Sequence, residues 1–202
     1  MSRLRVAPIV EGHGDESSIR ILLERIWYEL LGGEYLDVLQ PIRGKRHKLV
    51  QAQELGTALD LAVLKLQKRR TGEPEMILVL IDADSDLPCS LGPHVVEMGR
   101  HYRGDVDLSC VIANVEYETW FVAAAPSLSE HLNLSGSEAD LDPEAARLGK
   151  GWIKQRFRSG KYGETVDQPS LTKAMDLALC RAKSPSFDKL CREFEVRLSR
   201  AA

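Results

Sequence analysis

The chain has 202 residues, 44% of them hydrophobic, and a formal net charge of −3. That is enough to bury a core of its own, as one domain or a domain with a helical extension. The charge argues against a protein coated in positive charge for nonspecific nucleic-acid binding, while leaving room for a local basic groove. Cys89, Cys110, Cys180 and Cys191 are widely spaced without a Cys-x-x-Cys pair, and the amino terminus lacks the form of a signal peptide. Free thiols in a reducing cytoplasm are the expectation. No apolar stretch approaches the ~20 residues that span a bilayer.

In chain order, Leu4 to Val10 is a continuous apolar run, read as a buried strand, and Ser17 to Leu31 carries apolar residues at helical spacing up to the stop signal Gly32-Gly33. Tyr35 to Ile42 predicts a short second strand, demoted toward an edge or bulge by Pro41. A basic loop follows. Val50 to Arg70 predicts a helix closed by Thr71-Gly72, its end complemented by Lys65, Lys68, Arg69 and Arg70, and Met76 to Ile81 predicts a third buried strand. A short helix is expected around Val95 to His101 and a fourth strand from Val106 to Ala113. Asn114 then opens a helix through Trp120 and Phe121, read as core residues, that Pro126 halts. Ser127 to Pro143 reads as an exposed connection. The remainder predicts three helical pieces, Glu144 to Phe157, Ser170 to Ala182 and Ser186 to Arg200. Alternating strands and helices imply an α/β fold with a Rossmann-like parallel sheet of about four strands flanked by helices. The division expected is an α/β domain over 1–126, then a linker and helical extension over 127–202 packed on it.

Two acidic clusters follow buried strands: Glu11-Gly12-His13-Gly14-Asp15-Glu16 after the first, and Asp82-Ala83-Asp84-Ser85-Asp86 after the third. In open parallel sheets ligands sit beyond the carboxyl ends of strands, so these acids can meet around a hard cation. Mg²⁺ takes oxygen ligands and substrate phosphates, and two such ions can clamp both oxygens of an in-line displacement. The lack of clustered Cys and His argues against zinc. Asp15 and Glu16 equally suit the cap of a helix amino terminus, and Asp86 suits a turn before Pro88. Glu11, Asp82 and Asp84 are harder to explain structurally, because an acid at the end of a buried strand must be solvated or compensated.

Val-Glu-Gly ending the first strand, Asp-x-Asp ending the third, and Glu-Tyr-Glu-Thr-Trp-Phe after the fourth resemble the Toprim superfamily. The resemblance is to bacterial stand-alone Toprim-like proteins related to OLD-type and RloB-like nucleases, which share an Arg-Gly-Lys after the second strand and a tail like Gln168-Pro169-Ser170-Leu171 and Ser184-Pro185-Ser186-Phe187. It implies that Glu11 is a metal ligand or a proton-transfer group and that Asp82 and Asp84 are catalytic metal ligands. It also implies that Asp15 and Glu118 complete a site for Mg²⁺ or Mn²⁺. The loop departs from the pattern with Gly14 and Asp15 where Thr and Glu are common, and with an extra acid at Glu16. Phosphatases with Asp-x-Asp after their first core strand are a rival, ranked lower because here the pair follows a separate Glu-Gly strand.

Arg43, Lys45, Arg46 and Lys48, with His47, form a basic loop after the second strand that would meet nucleic-acid phosphate. Lys150, Lys154, Arg156, Arg158 and Lys161, interspersed with Trp152 and Tyr162, are either a second contact surface or a solvated face. The expectation is a Mg²⁺-dependent phosphodiester-processing enzyme, a nuclease acting on DNA or RNA, in bacterial anti-phage defence. The alternative is a non-catalytic or conditionally active effector subunit. No Walker A pattern occurs, so an ATPase would be a separate partner, and no membrane partner is expected.

Overall fold

A computed structural model describes residues 3–68 and 72–201, the last by its backbone alone. Arg69, Arg70 and Thr71 of the expected helix end lie outside the described residues. Five parallel strands form one sheet: β1 (Arg3–Val10), β2 (Tyr35–Val38), β3 (Ile42–Arg43), β4 (Glu75–Asp82) and β5 (Leu108–Ala113). The order is β2-β1-β4-β5, with β3 also pairing to β1. The second expected strand is thus two pieces on one edge, interrupted at Leu39–Pro41 because a proline has no N–H for a ladder. Successive strands run outward from β1 in one direction and from β4 in the other, so the order reverses between these two central neighbours. A crevice at their carboxyl ends is where such sheets bind ligands.

Alternation along the strands divides the core into two layers. Leu4, Val6 and Val10 of β1 and Met76, Leu78 and Leu80 of β4 pack with helix α1 (His13–Arg25) and the carboxy-terminal helices. Ala7 and Ile9, with Ile77, Val79 and Ile81, pack with α3 (Ala52–Gln67) and α4 (Pro88–Tyr102) on the opposite face, after the single turn α2 (Arg46–Leu49). Helix α1 begins four residues earlier than its apolar periodicity suggests (His13 rather than Ser17), since the acidic residues form its first turn. It runs into a π-helical turn, Ile26–Leu30, and stops at Gly32, whose φ of 70° is left-handed and suits glycine. Trp27 in that turn is fully buried, edge-on to Phe194.

Helix α4 is much longer than the Val95–His101 segment expected. Pro88 occupies its first position, where no intrahelical N–H is needed, and Gly92 and Pro93 fall in its opening turns, so breaker residues mask a real helix. Asn114 does not open the next helix. The Asn114–Val115 peptide is cis, and α5 covers only Glu118–Ala123, followed by a 3₁₀ turn at Ala125–Leu128 that contains Pro126. Trp120 and Phe121 are buried in the core as expected.

The tail forms α6 (Lys150–Arg156), α7 (Glu164–Ala174), α8 (Leu177–Lys183) and α9 (Pro185–Ala201). Helix α6 starts later than Glu144, whose carboxylate is engaged by Ser184 and Ser186, and α7 starts earlier than Ser170 and accommodates Pro169. These helices share the α1-side core rather than forming a second one: Leu171, Met175, Cys180, Phe187, Leu190 and Phe194 are all buried there. Glycine at position 14 allows the close approach of α1 to α7, because a Cβ there would collide with Gln168 Oε1.

Candidate functional site: an acidic crevice between β1 and β4

Glu11 is the first residue after β1 and Asp82 the last of β4, two neighbouring strands in register from Arg5–Glu75 to Val10–Leu80. The ladder itself therefore brings these two carboxylates to one edge. Glu11 Oε2 is buried without a hydrogen-bond partner. Desolvation raises the Glu11 pKa, the Asp82 backbone amide lowers it, Asp84 and Asp15 raise it, and Arg46 lowers it. Asp82 sits lower in the crevice, open to solvent only in part, with Oδ1 accepting the Tyr117 amide at 2.9 Å. Burial, followed by the charges of Asp15, Glu118, Glu11 and Glu116, pushes its carboxyl well above the ordinary range. Two acids held at a strand edge against their own charge are the site's defining electrostatic feature.

The other acids are held differently. Asp84 is exposed, with φ 50°, and its carboxylate faces Arg46 Nε at 3.5 Å. The Arg46 guanidinium also donates to the carbonyls of Asp82 (2.8 Å) and Ala83 (3.0 Å) and pairs with Asp86. Arg147 donates to the Asp84 carbonyl at 2.5 Å. Asp15 is buried, one oxygen accepting the Gly12 amide at 2.9 Å and the other the Gln168 side-chain amide at 2.8 Å. It closes the start of α1 and ties it to α7, the capping role its position allowed. Glu118, the first residue of α5, is almost wholly buried, accepts the Tyr162 hydroxyl at 3.2 Å, and has Lys150 Nζ at 3.8 Å. Desolvation, moderated by Lys150, pushes its pKa up to about 7.

The structure thus places Asp82 within electrostatic reach of Asp15, Glu118 and Glu11, and Glu11 within reach of Asp84 and Asp15, with Asp84 itself exposed at the rim. Among the described residues no three His, Cys, Asp or Glu side chains stand together closely enough to hold an ion as they are. The donor set nonetheless fits a hard cation. All the candidates are carboxylates, one buried oxygen is unpartnered, and burial, with neighbouring acids second, raises Glu11 and Asp82. Ligation by Asp84, Asp15 or Glu118 would require Arg46, Gln168, or Tyr162 and Lys150 to release them.

Of the basic loop, Lys45 and Lys48 are exposed, whereas Arg43 faces Glu16 at 3.3 Å and Arg46 is turned into the acidic cluster. Arg46 is therefore a brace of the β4 loop in this arrangement. In the tail, Lys150 pairs with Glu164 at 3.2 Å as well as facing Glu118, and Arg156 stacks on Trp152 at 4.2 Å. Tyr162 is buried on Glu118 and is not a surface for stacking a base. Lys154 and Lys161 remain solvated. His13 is exposed beside Glu16.

Sequence reasoning misses Gln168 and Arg147 as parts of the site, along with the inward role of Lys150 and Tyr162. Gln168 lies 153 residues from Asp15, and no local pattern announces such a pair. No helix among the described residues is long and apolar enough to cross a membrane, and all four cysteines are free. Searches of curated proteins and of solved structures give no match. A family model does match, over residues 10–195, a span running from the end of β1 into α9, and the chain accordingly belongs to the family described as Domain of unknown function (DUF4276).

Proposed function

We propose that the crevice is the active site of a divalent-metal-dependent phosphodiester-processing enzyme, a nuclease of the cytoplasm acting on DNA or RNA. The observation that carries it is Glu11 Oε2, buried and unpartnered beside Asp82 at the point where the strand order reverses. A protein gains nothing in stability by burying an unsatisfied carboxylate against like charges, so a ligand is the economical reason for keeping it. Glu11 and Asp82 would hold Mg²⁺ or Mn²⁺, with Asp84 as the rim acid nearest to joining them. When bound, such an ion neutralises phosphate charge and lowers the pKa of water. Glu118, with a pKa of about 7, can hold or release a proton near neutrality, and Tyr162 Oη and Lys150 Nζ orient it. Lys45 and Lys48 offer solvated positive charge to a passing phosphate backbone. The likeness of Glu11, Asp82-Ala83-Asp84 and Glu118 to Toprim motifs supports the same reading, and with it a role in bacterial defence and a separate ATPase partner.

The test is incubation of purified protein with plasmid, single-stranded DNA and RNA under Mg²⁺ and Mn²⁺, paired with thermal melts in each metal. Cleavage by the wild type, lost in Glu11→Gln and in Asp82→Asn, together with a metal-induced rise in melting temperature that both variants lack, is the expected outcome. If nothing is cleaved and Mn²⁺ leaves the melt unchanged, the reading fails and a non-catalytic effector subunit replaces it.

A further inference from the structure

A groove of about 780 Å³ lies away from the acidic crevice, between α4 and α9, with β5 as its floor. The strand order ends at β5, so among the described residues one side of this strand has no neighbour. In a parallel ladder a residue's N–H and C=O share one side, alternating along the strand. The carbonyls of Asp107 and Ala113 accept the amides of Ile77 and Ala83 of the β4 segment, so odd-numbered residues face β4. Leu108, Cys110 and Ile112 therefore aim their amides and carbonyls into the groove. Two contacts agree with this phase: the Asn114 amide donates to Ser186 Oγ on α9, and a Cβ at Gly92 of α4 would stand 3.9 Å from the Cys110 carbonyl. Residues Leu108 to Ala113 are all buried, so this is a sheet edge recessed between two helices rather than a rim open to solvent.

The walls specify what can lie there. Val96 and Pro93 of α4 face one side and Val196 of α9, a half-exposed valine, the other. The acids of the lining are consumed internally: Asp107 and Glu193 by Arg197, Glu193 also by Lys189, and Glu144 by Ser184, Ser186 and Asn114. Arg100 and Arg200 are exposed at the rim, one on each helix, and neither has a carboxylate partner among the described residues. Arg192 shares Asp188 with Arg181. The groove is thus apolar at its centre and positive at its margins.

We propose that this groove binds an extended acidic segment of a partner protein by strand addition to β5. The segment's backbone pairs with Leu108, Cys110 and Ile112, and its side chains alternate between the α4 and α9 walls, apolar ones against the valines and acidic ones at Arg100 and Arg200. Edge groups recessed from solvent gain most from such a partner, because their alternative is a confined water file.

The probe is a hexapeptide of four Val flanked at one end by two adjacent Glu, so that one acid faces each wall, titrated into ¹⁵N-labelled protein, with a peptide carrying Lys in place of Glu as the Lys/Val control. The amides of Leu108, Cys110 and Ile112 should shift and become protected, and the Lys/Val peptide should bind at least about tenfold more weakly. Of two Glu/Val peptides N-methylated on alternate nitrogens, the one whose methyls face β5 should fail and the other should bind. Arg100→Ala with Arg200→Ala, distant from the core and checked for folding by circular dichroism, should weaken binding about tenfold. The proposal is overturned if the three edge amides do not move, if charge reversal makes no difference, or if both methylated peptides bind alike. It is equally overturned if those amides are already protected in a concentration-dependent dimer, which would make a second copy the occupant.

Discussion

Glu118→Gln separates the cost of holding a charge from the geometry that holds it. Glutamine preserves the shape of the side chain and an oxygen for the Tyr162 hydroxyl, but it cannot ionise. Burial lifts the wild-type carboxyl from 4.5 to about 7, so the folded protein retains a proton that the unfolded chain releases between those values. Because the native state then binds more protons than the unfolded state, stability is full below about pH 4.5 and is lost as pH rises toward 7. At roughly 1.4 kcal/mol per pKa unit, ionised Glu118 costs the metal-free fold about 3 kcal/mol above pH 7. The coupling to Asp82, whose own pKa Glu118 raises, acts in the same direction. In chelator, urea unfolding of wild type and variant should therefore diverge with pH. The stability difference, whatever its offset at pH 4, should shift by about 3 kcal/mol in favour of the Glu118→Gln variant by pH 8, or roughly 6–12 °C in melting temperature for a chain of this size. A difference that stays constant from pH 4 to pH 8 would show that Glu118 is not held against its charge, and the electrostatic account of the crevice would be wrong.

Arg46 and the two exposed lysines of its loop should respond to different measurements. Arg46→Ala should lower stability by about 1–3 kcal/mol, because the carbonyls of Asp82 and Ala83 lose a charged donor, and should raise the pKa of Glu11 further. Lys45→Ala with Lys48→Ala should leave the melt unchanged and flatten the salt dependence of nucleic-acid binding by about one unit of log–log slope per lost phosphate contact; equal slopes would remove these lysines from the interface. Gly14→Ala should destabilise by about 1–3 kcal/mol, since its Cβ meets the Gln168 side-chain oxygen and drives the amide off Asp15. Gly14→Ala in a Gln168→Ala background should recover part of that loss, and a pair of effects that simply add would contradict the packing seen.

Where a signal is local, the sequence carries it; where it depends on contacts made across the fold, it does not. Buried strands of a parallel sheet are continuous apolar runs, which is why Leu4 to Val10 and Met76 to Ile81 are readable with their acidic ends. That reading puts Glu11 and Asp82 at carboxyl ends of strands, and the β1–β4 adjacency that sets them side by side comes from the sheet order, which no local pattern carries. Helix α4 is largely hidden because Pro88, Gly92 and Pro93 all read as breakers: Pro88 is tolerated at the first helical position, whereas Pro93 lies inside the helix, which persists where α4 packs on β5. Asn114 misleads for the converse reason. It has the chemistry of a helix cap, yet its backbone amide is taken by Ser186, 72 residues further on, and its side-chain amide by Glu144, 30 residues further on.

The division of labour among the acids is the least legible part, because charge type is local and charge compensation is not. Asp15, Asp84 and Glu118 read alike as candidate ligands, and what distinguishes them is Gln168 on the first, Arg46 on the second, and Tyr162 with Lys150 on the third. Three of those four partners come from α6, α7 and the segment between them, which share the core of the α/β layer instead of extending from it. The tail is thus one wall of the crevice. Its contacts engage Asp15 and Glu118, and they leave Glu11 Oε2 buried without a partner beside an Asp82 whose carboxyl is held well above the ordinary range by burial and by neighbouring acids.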